Sequence, residues 1–254
     1  MRIDLNGDVG ERPPGGSAGH PDSGLIPHLT SASVACGFHA GDAGMMRDTI
    51  AFAIEHGVAV GAHPSFPDPE GFGRRELQFA PADVEDFVAF QVGTLAGIAA
   101  SQGVRLQHVK PHGALFNMAA REAALADAVA RGVRSIDPGL ILFGLPHSQL
   151  IEAGKRAGLR TAAEGFADRA YLPDGSLMPR REPGAVIVEA TDVISRVIRM
   201  ARDRMVSAVD GSAVQVAVDT ICVHGDTPGA ADLAARIRAA LIREGVELKS
   251  VSAA

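Results

Sequence analysis

Several things are scarce in this sequence, and each shortage excludes something. Only two cysteines occur, Cys36 and Cys222, too few for a disulfide scaffold and suited to free thiols in a reducing compartment. No apolar run approaches the roughly 18–20 residues that a membrane-spanning helix needs. No long basic run appears, and the net charge is −6, which argues against nucleic acid as a partner. The opening MRIDLNGDVGE reads as a strand followed by acids, not as the basic start and apolar core of a secretion signal, so a cytoplasmic protein is expected. Lysine is rare: the 24 basic residues include only Lys110, Lys155 and Lys249. A chain that otherwise uses arginine for positive charge draws notice to a lysine inside a polar motif.

Familiar chemical signatures are missing too. There is no C-x-x-C pair. Gly154–Lys155 is followed by Arg156 and lacks the loop of a nucleotide-binding motif, and Gly71–Phe72–Gly73–Arg74–Arg75 is not a dinucleotide fingerprint. Nothing in the chain cradles ATP by a known loop.

What is present is a globular composition, 46% hydrophobic and 21% charged over 254 residues, with no linker dividing it, so a single domain over 1–254 is expected. Short apolar runs at 2–6, 31–36, 58–62, 105–109, 140–144, 160–164 and 216–223 read as strands buried on both faces. Between them lie helical patterns at 45–56, 82–102, 118–133, 148–157, 190–204 and 229–243, several closed by glycine, the last opened by Thr227–Pro228. Asp210–Gly211 signals a hairpin within 206–214. Stretches 7–27 and 168–183, rich in Gly and Pro, read as long loops. Regular βα alternation means a parallel α/β sheet, and about seven units favour a closed barrel over a doubly wound open sheet.

The informative pattern is where the polar residues fall. Strand one carries Asp4, Asn6 and Asp8 and leads to Glu11; strand two leads to His39 and Asp42; strand three to His63 and Asp68; strand four to Lys110, His112 and Asn117; strand six to Glu164, Asp168 and Arg169; the last to His224 and Asp226. In parallel α/β folds the C-terminal strand ends share one mouth. Strand parity puts Asp4, Asn6 and Asp8 on one side, as it does Lys110 with His112 and His224 with Asp226. Gly37 and Gly61 precede His39 and His63 by two, which suggests room beneath those imidazoles. Asp42, Asp68 and Asp226 fit ordinary turns and caps equally well, and the two cysteines fit buried small residues. His20, His28, His56 and His147 read as ordinary histidines. The collected carboxylates, imidazoles and lysine form a toolkit for acid–base hydrolysis, with or without a divalent ion, for which Asp8, His39 and His63 are the candidate ligands. Pro111 argues against a shared helical face for His108 and His112.

At IDLNGDVGE, ASVACGFHAGD, VGAHPSFPD with GFGRR, VKPHGALFN, EGFADRAYLPDGSLMPR and DTICVHGDTP the chain resembles the LamB/YcsF family. The resemblance implies a distorted seven-stranded β/α barrel of the glycoside hydrolase/deacetylase type. It also implies opening of the cyclic amide 5-oxo-L-proline to L-glutamate with ATP as co-substrate, carried out with 5-oxoprolinase subunits B and C. Because no ATP loop is present, ATP is expected on a partner subunit. Within that reading Asp8, His39 and His63 orient or deprotonate water, and Lys110 faces developing negative charge. His112, His224 and Asp226 relay a proton to the leaving nitrogen, and Asp4, Asn6, Glu11 and Glu164 hold substrate. Self-association stays open. Two other functions fit the same residues: a metal-dependent deacetylase on a related barrel, and an oxoproline-binding subunit without catalysis.

Overall fold

Every run read as a strand finds a place in one sheet of the computed structural model, which describes residues 1–11, 22–225 and 229–252. In chain order these are β1 (Arg2–Val9), β2 (Ser31–Ala35), β3 (Ala59–His63), β4 (His108–Val109), β5 (Ile141–Gly144) and β6 (Arg160–Phe166), then, after a separate two-stranded hairpin of β7 (Met205–Ser207) and β8 (Ala213–Gln215), β9 (Thr220–Val223). Neighbours β1 to β6 pair in sequence order, all parallel, and β9 pairs with both β6 and β1. The ring therefore closes as a seven-stranded parallel barrel. A short β10 (Glu247–Leu248) lies parallel to the start of β1.

The helices wrap the barrel: α1 (Ala43–Glu55), α2 (Pro81–Ser101), α3 (Gly113–Arg121), α4 (Ala123–Ile136), α5 (Gln149–Arg156), α6 (Ala190–Asp203) and α7 (Ala230–Arg243). Their starts have local causes. Asp42 accepts from the Met45 N–H at 2.9 Å, Ser148 from the Ile151 N–H at 3.3 Å, and Pro81 opens α2 with its ring already at a helical φ. Leu5, Val34, Leu142, Ile221 and Ile237 are fully buried in the apolar core. Each contributes on the order of 1.5–3 kcal/mol by leaving water. Among the described residues no helix is long and apolar enough to cross a membrane.

Several boundaries differ from the sequence reading. β1 runs on to Val9, so Asp8 is a strand residue and not part of a loop. The Ala-rich stretch is two helices, because Glu122 takes an extended backbone (φ −108°, ψ 105°) between them. Regular strand at β4 is only two residues long. The last barrel strand begins at Thr220, since Val216 bonds to the Arg204 carbonyl beside the hairpin. The expected hairpin forms, with Met205–Ser207 antiparallel to Ala213–Gln215. A 3-10 turn, Ile26–His28, occupies the end of the first long loop, whose residues 12–21 lie outside the described ones, His20 among them. The Thr227–Pro228 helix start lies outside them as well.

Candidate active site

The polar residues of β1 begin beneath the barrel mouth. Asp4 accepts hydroxyl bonds from Thr30 (2.5 Å), Ser31 (2.8 Å) and Thr220 (2.5 Å). Burial raises its carboxyl, and the three hydroxyls offset this in part. Both oxygens are engaged, so Asp4 is a strut that ties β1 to β2 and β9, not the substrate contact expected of it.

One pleat higher lies a buried lysine cage. Lys110 Nζ donates to Asp8 Oδ1 (2.8 Å), Cys222 Sγ (2.9 Å) and Asn6 Oδ1 (3.2 Å), and sits 2.9 Å from Glu164 Oε1. An ammonium has three hydrogens. Four acceptors already surround this one, so Lys110 has no donor left over for a developing oxyanion. Asn6 completes the cage by donating to Glu164 (2.9 Å) and Thr220 (2.7 Å). Burial opposes the lysine charge, yet Asp8, Cys222 and Glu164 hold it well above the ordinary range. Burial likewise pushes Asp8 up, but His63 and Lys110 reverse this and hold it well below the usual carboxylate range. Glu164 is raised by burial, with Lys110 only partly compensating.

Above the cage four side chains meet. Glu11 Oε1 lies 3.1 Å from His39 Nε2, 3.2 Å from His112 Nδ1 and 3.7 Å from His63 Nε2. The His63 and His112 nitrogens are themselves 2.9 Å apart, and the His39 and His112 rings stack at 3.9 Å. Two backbone carbonyls orient the rings, Lys110 O at 2.6 Å from His63 Nδ1 and Phe72 O at 2.9 Å from His112 Nε2. Burial lowers the His39 imidazole to about 3 and also pulls His112 well down, so both are neutral near pH 7.

The loop after β3 clamps this cluster. Asp68 holds its turn by accepting from Gly71 N–H (3.0 Å) and the Arg75 guanidinium (Nε, 2.8 Å). The turn puts Phe72 edge-on to His39 and His112, at 5.5 and 5.4 Å. Gly73 has φ +64°, and a Cβ there would lie 2.3 Å from Ser65 Oγ, 2.9 Å from His112 and 3.0 Å from His39. The motif GFGRR is thus a glycine-dependent close approach to the histidines.

On the other flank His224 Nδ1 lies 2.7 Å from Asp168 Oδ1, with its ring stacked on Phe166. Burial raises the Asp168 carboxyl, and the facing His224 more than offsets this and leaves it below its usual value. Asp8, Cys222 and His224 each present an atom within 4.8 Å of the others. The cage therefore touches both the three-histidine cluster, through Asp8 and His63 (3.5 Å), and the His224 pair.

A family model described as the LamB/YcsF family matches residues 3–254. The chain belongs to the LamB/YcsF family. A relative from Bordetella pertussis, named as the A subunit of 5-oxoprolinase, is 51% identical over 248 residues, covering 98% of each chain. The crystal structure of a lactam utilization protein from Thermus thermophilus superimposes with a TM-score of 0.91 at 43% identity, over 98% of this chain and 99% of that one. A family 4 carbohydrate esterase from Streptomyces lividans shares the fold alone, with a TM-score of 0.50 and 12% identity over 99% of this chain and 93% of that one.

In this LamB/YcsF chain the expected residues regroup. Asp8, Asn6, Lys110 and Glu164 form the cage, and His39, His63 and His112 form the cluster with Glu11, a residue the resemblance assigns to substrate. Asp8, expected as a ligand alongside His39 and His63, has its Oδ1 accepting from Lys110, and the carboxylate grouped with those two histidines and His112 is Glu11. His112 belongs with His63, whereas His224 pairs with Asp168, so the relay drawn through His112 and His224 is divided. Asp226 lies outside the described residues. Gly61 makes room for His108 and not for His63: a Cβ would lie 2.3 Å from the His108 ring, which stacks on Phe143 and bonds Ser33. Gly37 has a positive φ (+90°) and faces Met46. Two contributors escape the sequence reading, Asp168 as the partner of His224 and Cys222 as part of the cage. Parity points to both: Asp168 continues Glu164 and Phe166, and Cys222 precedes His224 by two.

Proposed function

We propose that this chain is the A subunit of an ATP-dependent 5-oxoprolinase, opening the lactam of 5-oxo-L-proline to L-glutamate. The observation that carries the reading is the full-length, 51% identical relative of that name, joined to a buried cluster of carboxylates, imidazoles and one lysine at the barrel mouth. The relative's name implies an assembly of several subunits, and we assign the partners as subunits B and C. The sequence carries no recognised phosphate-binding motif, and we assign ATP to a partner subunit. ATP as co-substrate and two unpaired buried cysteines favour the cytoplasm.

The chemistry follows from the amide. Resonance makes the ring C–N bond resistant to water. Transfer of the γ-phosphoryl group to the amide oxygen makes the carbonyl carbon electrophilic. Water then adds to that carbon, the C–N bond breaks, and the ring nitrogen takes a proton to become the amine of glutamate. A second water then hydrolyses the acyl phosphate so formed, releasing phosphate and leaving the carboxylate.

Glu11 and the three histidines line the mouth where the attacking water would be held. His224, oriented by Asp168 in the manner of an imidazole fixed by a carboxylate, lies across Asp8 and delivers the proton to the nitrogen. Lys110 acts as a positioning residue: it keeps Asp8 ionised between the two halves of the site.

Purified chain alone, given oxoproline and ATP, is expected to release no glutamate. Mixing it with subunits B and C should produce ATP-dependent turnover, and His63→Ala should abolish it in a folded protein. Full ATP-dependent turnover by this chain in isolation would overturn the division of labour.

A further inference from the structure

We propose that Glu11, His39, His63 and His112 form a site for one divalent transition-metal ion of the zinc class. This deepens the lactam reading, on which it rests, by naming what the cluster holds.

The argument starts from hydrogen placement. His63 Nδ1 faces the Lys110 carbonyl and His112 Nε2 faces the Phe72 carbonyl, and a carbonyl can only accept. Each ring therefore carries its hydrogen on the outer nitrogen. That leaves two bare nitrogens, His63 Nε2 and His112 Nδ1, 2.9 Å apart with their lone pairs toward each other. Glu11 Oε1, also an acceptor, lies 3.2 Å from one and 3.7 Å from the other. With both rings neutral, three acceptors converge on one point, an arrangement that a cation between them satisfies. His39 Nε2 completes the group from 3.1 Å, while its Nδ1 finds no partner among the described residues.

The spacing suits an ion. Ligands about 2.0–2.1 Å from a tetrahedral zinc lie about 3.3 Å from one another. Four of the six separations here run from 2.9 to 3.7 Å, and all six are within 4.8 Å. The outer nitrogens bonded to carbonyls are the usual support for ligating imidazoles. Three imidazoles and one carboxylate favour zinc and its first-row neighbours over calcium or magnesium.

The neighbouring group Asp8, Cys222 and His224 does not compete. The Lys110 ammonium already lies 2.8 Å from Asp8 and 2.9 Å from Cys222, and a second cation there would be repelled. Lys110 thus directs the ion to the upper tier. Bound there, the ion would supply Lewis acidity at the barrel mouth, while Glu11 and the histidines hold it and the Phe72 loop shields it.

The test uses the full chain, stripped with a chelator and dialysed. Calorimetric titration with zinc chloride should give one ion per chain. Cobalt(II) in place of zinc should give the visible absorption of a tetrahedral site. His63→Ala and Glu11→Gln should each weaken zinc binding by more than about 100-fold, with circular dichroism showing the fold retained. His56→Ala, at an exposed helix end, should bind as the parent does. Absence of stoichiometric uptake by the folded parent overturns the proposal, as does undiminished binding by folded His63→Ala. If His63→Ala fails to fold, His39→Ala replaces it, and the parent stoichiometry decides alone. Oxoproline turnover in the assembly separates the two readings. Turnover without metal uptake removes the ion alone, and metal uptake without turnover removes the lactam assignment alone.

Discussion

Replacing Lys110 with methionine removes the cation from a cage holding Asp8 and Glu164, both buried. Methionine fills much of the same volume, so the loss is chiefly electrostatic. Breaking a buried ion pair from one side costs about 3–5 kcal/mol, because the remaining charge keeps its desolvation penalty without a partner. That is a factor of roughly 10² to 4 × 10³ in the folding equilibrium, and about 6–20 °C in Tm for a chain of this size. The pH dependence should shift toward relatively greater stability at low pH. In the parent, Asp8 is held well below its ordinary value, so its contribution is present above the unfolded carboxylate range near pH 4 and is lost as pH falls through the depressed folded value. In Lys110→Met, Glu164 loses the lysine that partly offsets its burial, while Asp8 keeps His63 but loses the lysine. Glu164 then binds its proton more readily in the folded state than in the unfolded one, so its contribution to stability is greatest at low pH and declines as pH rises through its raised folded value. The variant should therefore gain on the parent between pH 8 and pH 5. Adding Glu164→Gln removes one of the stranded charges and should recover about 1–3 kcal/mol relative to the sum of the single changes. Urea unfolding of the four proteins at several pH values measures all of this. A Lys110→Met loss below about 1 kcal/mol at pH 7, or strict additivity with Glu164→Gln, would refute the cage.

Other expectations follow from the same geometry. Asp168→Asn should leave His224 without the carboxylate that orients it, lowering kcat about 10- to 100-fold in the assembly with KM little changed; equal loss in both parameters would mean a binding role. The same change should flatten the parent's acid sensitivity, because the depressed Asp168 carboxyl contributes stability above about pH 4 that is lost as pH falls through its folded value, and acid titration followed by circular dichroism would read this. Gly73→Ala should cost about 1–3 kcal/mol through strain at φ +64° and contact with Ser65, and should lower turnover by displacing His39 and His112. Gly61→Ala should destabilise more without touching the mouth, since its Cβ would lie 2.3 Å from the His108 ring; denaturant midpoints distinguish the two.

The barrel was legible because its strands are apolar on both faces and its helices are punctuated by glycine and proline. The collection of His39, His63, Lys110, His112 and His224 at strand ends was legible because parallel topology brings all C-terminal ends together. How they pair was not. A linear pattern sets which way Asp8 and Lys110 point, but barrel curvature decides that Lys110 meets Glu164 from a strand two positions away in the sheet. Likewise the GFGRR stretch is recognisable as a motif, yet its role depends on a left-handed Phe72 (φ +53°), which composition does not announce. The break at Glu122 was hidden because alanine-rich sequence on both sides suits a helix throughout.

Barrel closure sets β1 beside β9, and Asn6 bonds to Thr220 across 214 positions of chain. The cage therefore draws on segments made early and late in synthesis. A polypeptide still emerging from the ribosome carries the β1 acids without Thr220, Cys222 or His224. Competence for chemistry thus arrives in one step, when the ninth strand inserts, and a prematurely terminated product would expose unpaired carboxylates instead of displaying partial activity.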